Sequence, residues 1–242
     1  MSDTKPPSTR QRLLRAAEEL FAEHGLSGTS TRAILQRAGQ RNESALQYHF
    51  GGREGLLEAL YVDRGAEIAA ERELMLVQLL EQYPGNSGTS HPSVRQICEL
   101  GLLAPVRVAS RKPEVVRFLE IAGEIAVLPN ERLREINQRY EFGSVRKVRQ
   151  LLEEHPDLAS LPGDVLRHRL VLLNRIAAIA VAQRARNDGA FDGGDADLYF
   201  GTVLDAMAAV LTAEPSKETL DAGAALHGSS RRSRTSTSGR KR

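Results

Sequence analysis

Residues 25–60 read GLSGTSTRAILQRAGQRNESALQYHFGGREGLLEAL, and the fold follows from this stretch. Thr29, Ser30 or Thr31 offers a hydroxyl suited to a helix N-cap, after which Ile34, Leu35 and Ala38 recur at helical spacing and Gly39 ends the run. Asn42 can cap a second helix, with Glu43 in its first turn against the positive end of the helix dipole. Leu46 and Phe50 lie four residues apart on one face of that helix. Gly51-Gly52 then separates it from a third helical pattern, so the stretch predicts two short helices, a tight turn between them, and a longer helix to follow.

The opposite face of the second helix carries Arg41, Asn42, Ser44 and Gln47, side chains able to bond base edges from the start of a recognition helix. Around them stand Thr31, Tyr48, His49 and Arg53, whose hydroxyl, imidazole and guanidinium groups bond phosphate oxygens and set register. The pattern Thr31-Arg32-x-Ile34 with Ala38-Gly39, then Tyr48-His49-Phe50-Gly51 and Arg53-Glu54-x-Leu56-Leu57, resembles the TetR family of bacterial repressors over about Ser8 to Tyr61. Two departures stand out: Gln40 occupies a position that is commonly small and apolar, and the turn Gln40-Arg41-Asn42-Glu43 is polar and one residue longer than the common form. The resemblance implies an all-α protein with an N-terminal three-helix helix-turn-helix domain and a C-terminal helical domain for ligand sensing and dimerisation.

Composition bounds the rest. The 242 residues are 41% hydrophobic and 26% charged, enough for a globular core. A single cysteine, Cys98, excludes an intrachain disulfide and a multi-cysteine metal site, and reads as a small buried hydrophobe. The N-terminus lacks an apolar export segment, and the most apolar run, 170–182, is broken by Asn174 and Arg175, so a cytoplasmic, nucleoid-associated protein without a membrane span is expected. The net charge of +2 does not by itself point to nucleic acid. None of the six histidines pairs with another at metal-ligand spacing on a helix and no phosphate loop follows a strand, so neither an enzyme nor a bound metal or cofactor is expected.

In chain order, residues 1–8 read as a flexible arm and 9–61 as the DNA-binding domain. Ser8-Thr9-Arg10-Gln11 has the form of a capping box, opening a helix through Leu13, Leu14, Ala17, Leu20 and Phe21 to His24-Gly25. A long helix runs from Arg53 to about Gln82 with Leu56, Leu57, Leu60, Tyr61, Ile68, Leu76, Val77 and Leu80 on its apolar side, and Pro84 to Gly88 ends it. Residues 62–214 form the effector and dimerisation domain, with helices expected over 93–110, 113–128, 130–155, 164–187 and 195–212. Pro105 is expected to split the first of these in two. Residues 215–242, which end in GSSRRSRTSTSGRKR, read as a disordered basic tail.

The resemblance also implies a small-molecule pocket among the central helices, for which Cys98, Leu102, Phe118, Ile121 and Ile125 are apolar candidates. Tyr140, Phe142, Arg146, Asn174 and Ile176 complete that candidate set. Helices 164–187 and 195–212, rich in Leu, Ile, Val and Ala, would pair with a second copy as a four-helix bundle. A two-fold dimer is what a palindromic double-stranded operator requires. The expected function is a sequence-specific repressor released by a small-molecule effector. The alternatives are the same head without small-molecule sensing, or a low-specificity nucleoid-associated DNA binder.

Overall fold

The computed structural model describes residues 7–83, 91–126, 143–187 and 191–236. Among them the chain is all-α: ten α-helices, one 3-10 turn and no strand. The helices are α1 (Thr9–Gly28), α2 (Thr31–Arg37), α3 (Ser44–Phe50), α4 (Arg53–Glu81) and α5 (Val94–Ala109). After them come α6 (Pro113–Ala126), α7 (Gly143–Glu153), α8 (Gly163–Arg186), α9 (Gly194–Thr212) and α10 (Lys217–Ser236). The expected arm to residue 6, the breaker from Pro84 to Gly88, and the pocket candidates Tyr140 and Phe142 fall outside the described residues.

The head is a compact cluster built on α1. Ser8 accepts from the Gln11 N–H at 3.3 Å while the Gln11 side chain accepts from the Ser8 N–H at 2.8 Å, the reciprocal pair of a capping box. Leu13, Ala17 and Phe21 are buried beneath Ile34, Leu46, Leu56 and Leu60, so α1 crosses the two short helices and the start of α4. Gly25, at φ +73°, breaks the regular part of α1 at the position where the glycine pattern ends it.

From the head, α4 continues into a second layer where it packs on α5 and α7, while α6 packs on α8 and α5 on α9. One continuous apolar cluster runs from Leu13 to Leu211, so the expected division between residues 61 and 62 falls inside both a helix and a core. Small residues set the closest approach: a Cβ on Gly123 of α6 would lie 3.1 Å from the Ala182 Cβ of α8. His155 ends α7 as a buried tie, its Nε2 donating to the Pro92 carbonyl at 2.9 Å and its Nδ1 accepting the Asp157 N–H at 3.1 Å.

Three expectations are corrected. Pro105 does not split α5, which runs unbroken because Leu102 and Ala104 on one side and Val106 and Val108 on the other are all buried. Proline removes the N–H that would bond the Gly101 carbonyl one turn back, and next to it the Leu100 carbonyl accepts a bond from Arg72 Nε of α4 at 3.1 Å. On α4 itself, Met75, Leu76 and Leu79 face the core, whereas Val77 and Leu80 are exposed, so the buried stripe has turned by about one residue. Finally, the segment expected to be a disordered tail contains α10, nucleated by Ser216, whose hydroxyl accepts from the Thr219 N–H at 3.3 Å and which precedes Glu218 in the first turn and a run of alanines and leucines. Residues 237–242 lie outside the described residues.

Candidate nucleic-acid interface

The turn between α2 and α3 is locally specified. Ser30 caps α2 by accepting from the Ala33 N–H at 3.2 Å. At its other end Gly39, at φ +67°, lets the Gln40 N–H return to the Leu35 carbonyl at 2.8 Å and the Gly39 N–H to the Gln36 carbonyl at 3.1 Å, the paired bonds of a Schellman motif. Asn42 then takes the capping role from just outside α3, its Oδ1 accepting from the Ser44 N–H at 2.9 Å and from the Ser44 hydroxyl at 2.8 Å. A helix of seven residues does not stand alone in water. Leu46, 3% exposed, holds α3 on the head, and Arg10 lies over the Phe50 ring at 5.4 Å.

With Leu46 turned in, Arg41, Asn42, Ser44, Gln47 and Tyr48 face outward. Asn42 and Ser44 spend polar atoms on each other, so their first role is to shape the turn, whereas the side chains of Arg41 and Gln47 make no hydrogen bond or ion pair with described residues. Tyr48 stands 85% exposed, an aromatic ring left in water at the end of the reading face. His49 is half-buried, edge-on to Tyr48 at 5.0 Å and to Phe50 at 6.2 Å, and Thr31 is half-buried in the first turn of α2. Beside Thr31, Arg32 is exposed and unpaired with described residues, a cation on this side that the reading of the motif passed over although its position there is the signal.

Arg53 is the correction within the head. Its guanidinium lies 5.0 Å over the Phe21 ring, Nη2 donates to the Leu26 carbonyl, and Nη1 is buried without a partner among the described residues. Burial lowers its pKa. Arg53 therefore ties the end of α1 to the start of α4 instead of standing on the outer face with Tyr48.

The same α1 end is held from the other side. The Leu26 N–H donates to Glu124 Oε2 of α6 at 2.8 Å, and Arg186 of α8 reaches the other oxygen of that carboxylate at 2.9 Å. Closer to the core, Glu18 receives both Nε and Nη2 of Arg64 at 2.8 and 2.7 Å. An open groove of about 480 Å³ runs along Arg10, His49, Phe50, Glu58, Val62 and Asp63, and its carboxylates make it an unfavourable bed for phosphate.

The pocket candidates divide. Cys98, Leu102, Phe118, Ile121 and Ile125 are 0–5% exposed and pack as core. Burial pushes the Cys98 thiol up to about 12, far from nucleophilic at neutral pH. Ile176 is half-buried against the core, and the two polar candidates, Arg146 and Asn174, sit on outer surfaces. Among the described residues no group of three or more His, Cys, Asp or Glu side chains could hold a metal ion, and no single helix is long and apolar enough to cross a membrane.

The capped turn, the buried Leu46 and the outward-facing α3 define a helix-turn-helix protein of the all-α class. The family model of bacterial regulatory proteins, tetR family, matches residues 13–60. Over those residues, from α1 to the start of α4, the chain is similar to that family. It is 37% identical over 76 residues to the HTH-type transcriptional repressor AcnR of Corynebacterium glutamicum, a match covering 30% of this chain and 40% of that one. The same repressor from Corynebacterium diphtheriae is 35% identical over 80 residues, covering 32% of this chain and 42% of the relative. The matches therefore span less than half the length of either repressor. Two solved TetR-family structures carry the fold at 20% identity. One, from Rhodococcus sp., has a TM-score of 0.53 and the other, from Shewanella sp. PV-4, one of 0.51, each covering 83% of this chain and 98% of the other.

Proposed function

We propose that the protein is a dimeric, sequence-specific transcriptional repressor that binds a palindromic operator through α3 and leaves it when a small-molecule effector binds the helical domain. The observation that carries this reading is the outer face of α3, where Arg41 and Gln47 stand in water without partners while Leu46 fixes the helix from behind. Arg41 and Gln47 read base edges, Asn42 and Ser44 hold the turn, and Thr31, Tyr48 and His49 set register on phosphates. A purified chain should select one palindromic motif from genomic fragments and keep a preference of at least ~10³ over random DNA at physiological salt. Enrichment without a motif would replace this reading with a low-specificity nucleoid binder. Placement in the bacterial cytoplasm follows from the same reading.

The residue roles separate in binding assays. Gln47→Ala should cost about 1–3 kcal/mol on the operator and relax preference at particular base pairs, while Tyr48→Ala weakens operator and random DNA alike. Equal losses on both DNAs for Gln47→Ala would remove it from the base-reading set.

Dimerisation through residues 164–187 and 195–212 is supported by what α8 and α9 leave uncovered. Val171, Leu172 and Ile179 are 42%, 46% and 47% exposed along one side of α8, and Leu198 of α9 is 72% exposed. Ala206 and Ala209 are exposed on the same side of α9 as Leu198, small enough for a second pair of helices to approach closely. Leu198→Asp leaves the protomer core intact and places a charge where the second copy would pack. Sedimentation should show a monomer, and operator affinity should fall about 100-fold, which is ~2.7 kcal/mol. A dimer of unchanged affinity would move the interface elsewhere.

A further inference from the structure

We propose that Arg72 anchors the effector site and that the effector is a small organic acid, its carboxylate bound by the Arg72 guanidinium and its body lying on the apolar wall between α4, α5 and α6. This inference rests on the effector-released reading above and names the chemistry of the ligand. Arg72 follows Tyr61 and Ile68 on the inward side of α4, an 11-residue interval that places an arginine on an apolar helical face. Its one side-chain hydrogen bond among the described residues runs from Nε to the Leu100 carbonyl of α5. Both terminal nitrogens, with four N–H donors, meet no carboxylate among the described residues.

The neighbouring charges make that vacancy informative. Glu67 pairs with Arg64 and Lys112, Glu71 with Arg107 and Arg111, and Glu73 with Lys147. Every carboxylate within six residues of Arg72 on α4 is thus committed to another cation, although Glu71 and Glu73 adjoin it in sequence. Burial pulls the Arg72 guanidinium down to about 10, as expected for a desolvated cation. A half-buried cation without a counter-ion among the described residues is costly to the fold, and a ligand carboxylate would supply both the charge and a planar, two-pronged hydrogen-bond partner.

The walls determine the remainder of the ligand. Leu100 and Phe118 are buried there, Phe118 meets the Tyr61 ring edge-on at 6.3 Å, and burial raises the Tyr61 hydroxyl pKa. Tyr61 and Arg72 both keep part of their surface accessible on the side of α4 that faces α5 and α6. An apolar acid suits this lining better than a strongly hydrated phosphate. Binding acts on the same helix whose N-terminus carries Arg53 and adjoins α3, so a ligand that draws Arg72 from the Leu100 carbonyl shifts α4 against α5. It can bias the head only by the difference in its affinity for the two arrangements.

The test compares benzoate and hexanoate with benzamide and hexanamide, and with inorganic phosphate, each at about 10 mM, in thermal unfolding of the full-length protein. For a Kd of about 1 mM the acids should raise the midpoint by about 3–5 °C and the uncharged amides by less than ~1 °C. Arg72→Met should lose the shift, Arg72→Lys should retain part of it, and Arg167→Ala, an exposed arginine elsewhere, should retain it fully. Equal protection by acids and amides, protection by phosphate alone, no protection by either acid, or an undiminished shift in Arg72→Met would each overturn the assignment. The wild-type acid and amide comparison decides the matter even where Arg72→Met fails to fold. A mobility shift without added acid separates this inference from the one beneath it: a protein that binds its operator but ignores acids refutes only the anion site, whereas one that selects no operator refutes the repressor reading.

Discussion

Glu18→Ala lowers the midpoint of thermal unfolding by about 6–12 °C, corresponding to a loss of ~3 kcal/mol. Glu18 is 2% exposed on α1, and both of its carboxylate oxygens are occupied by Arg64 of α4. A guanidinium stays charged at neutral pH without help from Glu18, so removal of the partner leaves the Arg64 cation in a site built for a pair. Glu67, which bonds Arg64 Nη1 at 2.9 Å, keeps the expected cost near the lower end for a broken buried pair. Burial alone would push the Glu67 carboxyl up, but bonds from Lys112 and Arg64 hold it below the usual value of 4.5. A depressed folded pKa contributes stability that is fully present above the unfolded value and is lost as pH falls through the folded one, so this network weakens below about pH 4.5. Circular dichroism melts of Glu18→Ala and the gentler Glu18→Gln check the effect. A Glu18→Ala midpoint within ~1 °C of wild type would mean that the pair only balances its own desolvation.

The same network explains which parts of the structure could be read from sequence. Ser8, Ser30, Gly39 and Gly51 act within a few residues of where they sit, so the ends of α1, α2 and α3 were legible from capping and glycine chemistry. The direction of Arg53 was not legible, because it is decided by the Phe21 ring, which reaches it from a residue 32 positions earlier. Pro105 misled for a related reason: local propensity ends a helix there, while the buried residues on both sides of it keep α5 whole. On α4 the expected stripe holds at Leu56, Leu60, Ile68 and Leu76, and only its last turns are out of phase, where Met75 and Leu79 won the core from Val77 and Leu80. The small alanines of α8 and α9 signalled close packing, which Gly123 against Ala182 now places within the protomer on one side. Arg72 and Tyr61 were overlooked in favour of Arg146 and Asn174, although a cation on an apolar helical face was visible in the spacing.

Gly55→Ala should abolish operator binding and destabilise the head by about 3 kcal/mol or more, against the sign expected from helix propensity. Within a helix an alanine ordinarily gains roughly 1 kcal/mol over glycine. At position 55, however, a Cβ would fall 1.8 Å from the Phe50 carbonyl oxygen and 3.0 Å from its carbon. The obstacle is the last residue of α3, not the flexible end of a side chain, so relief requires α3 to swing away from α4. Overpacking of ordinary cores costs about 1–3 kcal/mol, and a backbone obstacle leaves less room to relax. The swing would lift Leu46 from the head and move Arg41 and Gln47 together off their mark, so specificity fails with stability. Gly101→Ala on α5 supplies the contrast, because a Cβ there meets nothing within 4 Å and the ordinary gain of about 0.5–1 kcal/mol should appear. Sedimentation should show Gly55→Ala still dimeric, as α8 and α9 lie far along the chain from the clash. If it melts with wild type and shifts the operator normally, α3 does not depend on its close approach to α4, and the account of how the reading helix is held must change.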